Sequence, residues 1–245
     1  IAPGYLADFA IVDNLTDFHV QTVYKKGKLV YDNGVLAEIP APKIPQHLEQ
    51  MSHDTFHLPV LRAEDFCDTR RRGIIGMIPG EILTEDKGYA DHVDVQKDIL
   101  KMAVVERHRF TRHIGIGYLS GYGLKSGAVA TSVSHDSHNI ICVGENDADM
   151  ALAVNRVAEN HGGIVVVQGG QVIAELPLDI AGIMSSLPLG QVNTLLEEAK
   201  AAAHRLGVSD GIDPFMTLSF MSLPVIPKVR LTTRGVIDVI TQQYI

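Results

Sequence analysis

Three prolines, Pro40, Pro42 and Pro45, fall within one short stretch and constrain this chain more than any other feature. Each fixes its own φ and removes a backbone donor, so residues 39–52 are expected to run as an extended, Pro-rich connector. The chain therefore reads as two parts. In residues 1–38, Ala7-Asp8-Phe9-Ala10-Ile11-Val12 alternates like a strand, and Val20–Tyr24 and Lys28–Tyr31 flank Lys26-Gly27, a two-residue signal for a tight hairpin. Asp32-Asn33-Gly34 closes the second of these strands. A strand and a hairpin bury little by themselves, so sheet from elsewhere is expected to complete them. The opening Ile1-Ala2-Pro3-Gly4 has neither an initiator Met nor a signal-peptide pattern, and the chain is expected to begin within a longer protein.

Residues 53–245 mix short strands with helices, an α+β pattern. Strands are expected at 73–78 and 81–84 around Pro79-Gly80, and at 103–108, 112–119, 127–133 and 139–143, all rich in Val and Ile and punctuated by Gly. A helix over 147–161 follows from the spacing of Met150, Ala151, Val154, Val157 and Ala158, with Asn146 as N-cap and Gly162-Gly163 as stop. A second runs from about 191 to 206, with Val192, Leu195, Leu196, Ala199, Ala202, Ala203 and Leu206 on one face. Between them, residues 164–167 and 172–174 form a hairpin turned at Gly169-Gly170.

Composition narrows the function. With 46% hydrophobic and 20% charged residues the chain is a folding sequence, and a net charge of −8 repels nucleic acid and anionic lipid. No apolar run approaches the length of a membrane helix. Cys67 and Cys142 are too few for a disulfide framework and are expected to be buried free thiols, which points to the cytoplasm.

The densest polar cluster is Ser134-His135-Asp136-Ser137-His138-Asn139, between two strand-like runs. A rigid sheet aims a short loop well, so this is where reactive groups are expected. His135 and His138, spaced H-x-x-H around Asp136, suit either a divalent metal or a base with its orienting partner, although no second motif supplies a third ligand. A polar turn bonded to its own backbone accounts for the same residues. Arg70-Arg71-Arg72 reads as a solvated strand edge. Gly115, Gly117, Gly121, Gly123 and Gly127 lack the spacing of a dinucleotide or phosphate loop and read as close packing. His92, His108 and His113 are scattered and carry no motif.

Two longer sets of residues carry a resemblance. Residues 1–13 with Val23-Tyr24-Lys25-Lys26-Gly27-Lys28-Leu29-Val30 resemble the segment of the amidohydrolase superfamily that returns from the metal-binding barrel to a small β-sandwich. Residues 127–141, Gly162-Gly163, Leu176-Pro177-Leu178 and 213–221 resemble the C-terminal region of the bacterial adenine deaminase family of amidohydrolase type. The resemblance implies hydrolysis of adenine to hypoxanthine and ammonia, with a manganese or iron centre activating water in the complete enzyme. The barrel's metal ligands have no counterpart here, so no metal ligand is expected in this chain, and the missing N-terminal barrel is its expected partner. Within that family pattern His135, Asp136 and His138 become candidates for catalysis accessory to the barrel site, and Ser137 and Asn139 for substrate binding. A homo-oligomer is also expected. Two other roles remain open: a buttress or oligomerisation domain without active-site residues, and an independent metal-dependent hydrolase built on His135 and His138.

Overall fold

The computed structural model describes residues 2–38 and 42–245; Ile1, and Ile39, Pro40 and Ala41 of the expected connector, lie outside the described residues. The chain divides into two units, Ile1–Pro45 and Gln46–Ile245.

The first unit is an antiparallel meander of β1 (Phe9–Val12), β2 (Val20–Lys25), β3 (Lys28–Asp32) and β4 (Val35–Leu36), neighbours in chain order. The expected hairpin is present. Lys26 and Gly27 both have positive φ, 49° and 74°, as a turn matched to the twist of its strands requires. Asn33-Gly34 repeats this device and leads into β4, a strand where the sequence suggested only a closing turn. Phe9 stacks on Tyr24 across β1 and β2 with centroids 4.9 Å apart. None of the described residues of this unit is buried.

The second unit opens with α1 (Gln46–His53), so the extended run expected through residue 52 ends at Pro45. A helix's first N–H groups have no intrahelical acceptor, and a proline just before them costs nothing. Because α1 buries no residue, its sequence carries no apolar stripe to announce it. Next come β5 (Arg72–Met77), β6 (Thr84–Ala90), β7 (Leu100–Val105), β8 (Ile114–Ser120), β9 (Ala128–Thr131), β10 (Ile140–Gly144), α2 (Asp147–Glu159), β11 (Gly163–Gln168) and β12 (Gln171–Pro177). They are followed by α3 (Leu189–Arg205), α4 (Pro214–Phe220), β13 (Val229–Thr232), β14 (Gly235–Asp238) and β15 (Gln243–Tyr244). Eight strands form one sheet in the order β12-β11-β9-β10-β7-β8-β5-β6, antiparallel except for β5 beside β8; β13, β14 and β15 form a small second sheet.

Alternation along the central strands covers both sheet faces. Met102, Val104, Val129, Ile141 and Val166 pack with Ala199 and Ala203 of α3, Phe215 of α4 and Leu231 of β13. Their neighbours Ala103, Val105, Ala130, Cys142 and Val165 pack with Met150, Val154 and Val157 of α2. Helix α2 starts where its cap predicts, Asn146 Oδ1 accepting from the Asp149 N–H at 2.8 Å.

Two strand boundaries differ from expectation for visible reasons. β6 begins at Thr84 rather than Glu81, because Thr84 is buried and tied to the far end of the chain. Its hydroxyl donates to the Val229 carbonyl at 2.8 Å and accepts from the Val229 N–H at 3.1 Å. Beside it the fully buried Arg230 donates to the Ile82 carbonyl. β7 ends at Val105, short of the expected residue 108, because Arg107 leaves the ladder to bond elsewhere. Helix α4 and strands β13 to β15 add elements where the sequence reading assigned none.

Candidate functional site

β9 and β10 are interior strands, so the segment joining them, 132–139, springs from the middle of the sheet. Its first half is held by α4 and the turn that follows it. Buried Ser134 shares a hydrogen bond with the Ser222 hydroxyl, the His135 N–H donates to the Ser219 carbonyl at 3.0 Å, and the His135 ring stacks on Phe220 with centroids 4.7 Å apart. The second half is held from the end of β7. Arg107, 2% exposed, donates through Nε to the His138 carbonyl, through Nη1 to Thr55 O at 2.7 Å and through Nη2 to Ala181 O at 3.0 Å. Its guanidinium carbon lies 4.2 Å from the centre of the Phe56 ring. His108 donates from Nε2 to the Ser137 carbonyl at 2.8 Å, since a carbonyl can only accept. The His138 N–H closes the loop onto Ser134 O at 2.6 Å.

These bonds split the candidates into two groups. Asp136, with a side chain 87% exposed, and half-exposed His135 stand at the tip with 3.8 Å between Nδ1 and the carboxylate, and Ser137 is exposed beside them. His138 and Asn139 turn inward. His138 takes a left-handed φ of 48°, and its Nδ1 and the Asn139 Oδ1 are buried without a protein partner among the described residues. Burial, then the Arg107 cation and His135, lower the pKa of His138, so it stays neutral at pH 7. Burial also brings Arg107 down to about 10, against a smaller opposing effect of Glu106, and it remains a cation. A neutral imidazole thus sits in the field of a fixed positive charge. That setting does not suit a divalent metal, and among the described residues no three His, Cys, Asp or Glu side chains are grouped to hold one.

Next to the loop is a cleft of about 220 Å³ whose lining includes Ile78, Ile82, Asp213, Met216 and Phe220. Phe220 lines this cleft and also stacks on the His135 ring, although His135 itself does not line the cleft. The other sequence candidates have structural roles. Arg70 and Arg72 both bind Asp68, at 2.9 and 2.7 Å, and form an ion-pair cluster. Gly115 is required because a Cβ there would meet the Thr232 carbonyl at 1.8 Å. Cys142 is buried as expected, with its thiol pushed up by burial, but Cys67 is exposed, contrary to expectation. His92 is exposed and pairs with Asp91, and His113 is exposed; of the scattered histidines only His108 reaches the loop. Sequence reasoning missed Arg107 and Ser222, passed over His108 as scattered and held Phe220 only within the 213–221 resemblance, because nothing in a single sequence pairs residue 107 with 138, or 220 with 135.

The family model described as adenine deaminase C-terminal domain matches residues 80–243. Curated relatives include "Adenine deaminase" of Nitratidesulfovibrio vulgaris, 42% identical over 98% of this chain, and "Adenine deaminase" of Kosmotoga olearia, 41% identical over 100% of it. "Adenine deaminase 2" of Carboxydothermus hydrogenoformans is 40% identical over 98% of the chain. The chain spans 43%, 44% and 43% of the length of these three relatives, respectively.

Proposed function

The chain belongs to the adenine deaminase family, and from that membership we propose that it serves as the C-terminal part of an enzyme that hydrolyses adenine to hypoxanthine and ammonia. In that reaction water adds to the purine carbon bearing the amino group and the carbon–nitrogen bond breaks, releasing ammonia. The observation that carries the reading is the 134–139 loop, a His-Asp-Ser tip with Asp136 and Ser137 exposed and His135 half-exposed, on a backbone fixed at both ends by side chains from other elements. Preorganised polar groups of this kind suit contact with the N–H and ring nitrogen positions of a purine. In this proposal Asp136 and His135 bind and exchange protons with the base, Ser137 adds a hydrogen bond, and His138 and Asn139 hold the tip in place.

The described residues do not group as a metal site, so in this proposal the manganese or iron that lowers the pKa of the attacking water belongs to an amidohydrolase barrel, and this chain alone lacks activity. Strands β1 to β4 then contribute to that fold's β-sandwich. Among the described residues no helix is long and apolar enough to cross a membrane. The proposed setting is purine salvage in the cytoplasm, with which two free thiols are compatible, and the proposed assembled form is a homo-oligomer. The buttress reading has one point in favour: Ile82, Leu83, Met216 and Val225 expose apolar surface that suits packing.

In the full-length enzyme, Asp136→Asn and His135→Ala are each expected to lower kcat/KM about a hundredfold. Both side chains are exposed enough that melting should shift by no more than about 2 °C. Replacing His138 by Ala should likewise reduce turnover far more than thermal stability. Wild-type turnover in all three variants returns the loop to a purely structural turn.

A further inference from the structure

A buried arginine normally has a carboxylate partner, and Arg107 has none among the described residues. Its guanidinium instead donates to carbonyls of three separate segments: Thr55 after α1, Ala181 in the turn after β12, and His138 in the candidate loop. The three bonds start from three different nitrogens of one planar fork, whereas a lysine's three donors all radiate from a single nitrogen and cannot span the same separation. The surroundings are fitted to that fork. Phe56 lies against one of its faces, and Gly182, with φ at +75°, leaves space that a Cβ would take, ending 2.9 Å from both Nη2 and the Phe56 ring. His108, the next residue, holds the adjacent Ser137 carbonyl.

Resting on the proposed role of the loop, we infer that Arg107 is a positioning residue for deamination, setting where the His135-Asp136-Ser137 tip stands by clamping the His138 carbonyl. Arg107 touches no substrate in this arrangement. It acts through the backbone, and an error of about 1 Å in the tip costs about a hundredfold in rate.

The test uses the full-length enzyme. Arg107→Lys is expected to lower kcat about a hundredfold while KM changes less than about twofold. Hydrogen exchange at the His135 and His138 amides should accelerate about tenfold, with the amides of β7 and β10 unchanged. In Arg107→Ala, added guanidinium ion should restore part of kcat, and ammonium at equal ionic strength should not. If Arg107→Lys does not accumulate as folded protein, Gly182→Ala, which crowds the same guanidinium, should give the same exchange pattern. Unchanged exchange at His135 and His138 overturns the inference whatever turnover does. Faster exchange with wild-type kcat, alongside wild-type kcat in Asp136→Asn, overturns the proposed function of the loop and with it any catalytic part for Arg107.

Discussion

Both units are built mainly from antiparallel strands, yet only the second covers its sheet. Every residue of β7, β9 and β10 is buried, because α2 packs on one face and α3, α4 and the small sheet on the other. In β1 to β4 no described residue is buried, and Ile11, Val20, Leu29 and Leu36 are exposed. Turn chemistry is equally good in both. What separates them is apolar area removed from water, worth roughly 25 cal/mol per Å². Hairpin geometry without that burial is marginal in water.

Separating the units would break this contrast most directly. Residues 46–245 alone should give a dispersed amide spectrum and one cooperative melt, whereas residues 1–45 alone should show no persistent sheet; a dispersed spectrum from 1–45 removes the distinction. A smaller effect comes from single side chains. Ile141→Ala, in the covered β10, should cost about 2–5 kcal/mol, while Val23→Ala, half-buried in β2, should cost less than about 1 kcal/mol. Urea unfolding of the two variants measures this, and equal losses would erase the difference. Smallest is the acid response. Burial opposes ionisation of Asp68, but hydrogen bonds from Arg70 and Arg72 outweigh it and hold the carboxyl below its usual value. Stability from this group is complete above the unfolded pKa of about 3.9 and lost as pH falls through the lower folded value. Asp68→Asn should therefore flatten stability against pH below about 4. Asp8 is also lowered, chiefly by its hydrogen bond from Lys25, but it is solvated, and Asp8→Asn should change the acid response less.

Much of the fold was legible where local chemistry and burial agree. Lys26-Gly27 marked its hairpin, Asn146 its helix start, and the small and branched apolar residues of 189–205 their face against the sheet. Elements that bury little or are very short were not: α1 buries nothing, β4 and β15 have two residues each, and α4 has seven behind an Asp213 cap. The 134–139 cluster stood out as polar residues between apolar runs. Its division into an exposed tip and an inward base did not, because it depends on Arg107 and Phe220, which are remote in sequence. The prolines misled at one end, since a residue type that forbids helix interiors says little about the turn that follows it.

Thr84 and Ile82 find their partners 145 and 148 residues later, in Val229 and Arg230. A ribosome adds roughly 5–20 residues per second, so this corner of the sheet waits on the order of ten seconds for these closing contacts during synthesis. The nascent chain carries β6 as an open edge through that interval. Chaperone contact and premature pairing with other chains would therefore concentrate at Ile82 and Thr84, whose polar groups the finished protein ties to Arg230 and Val229 while the rest of β6 keeps its place at the sheet edge.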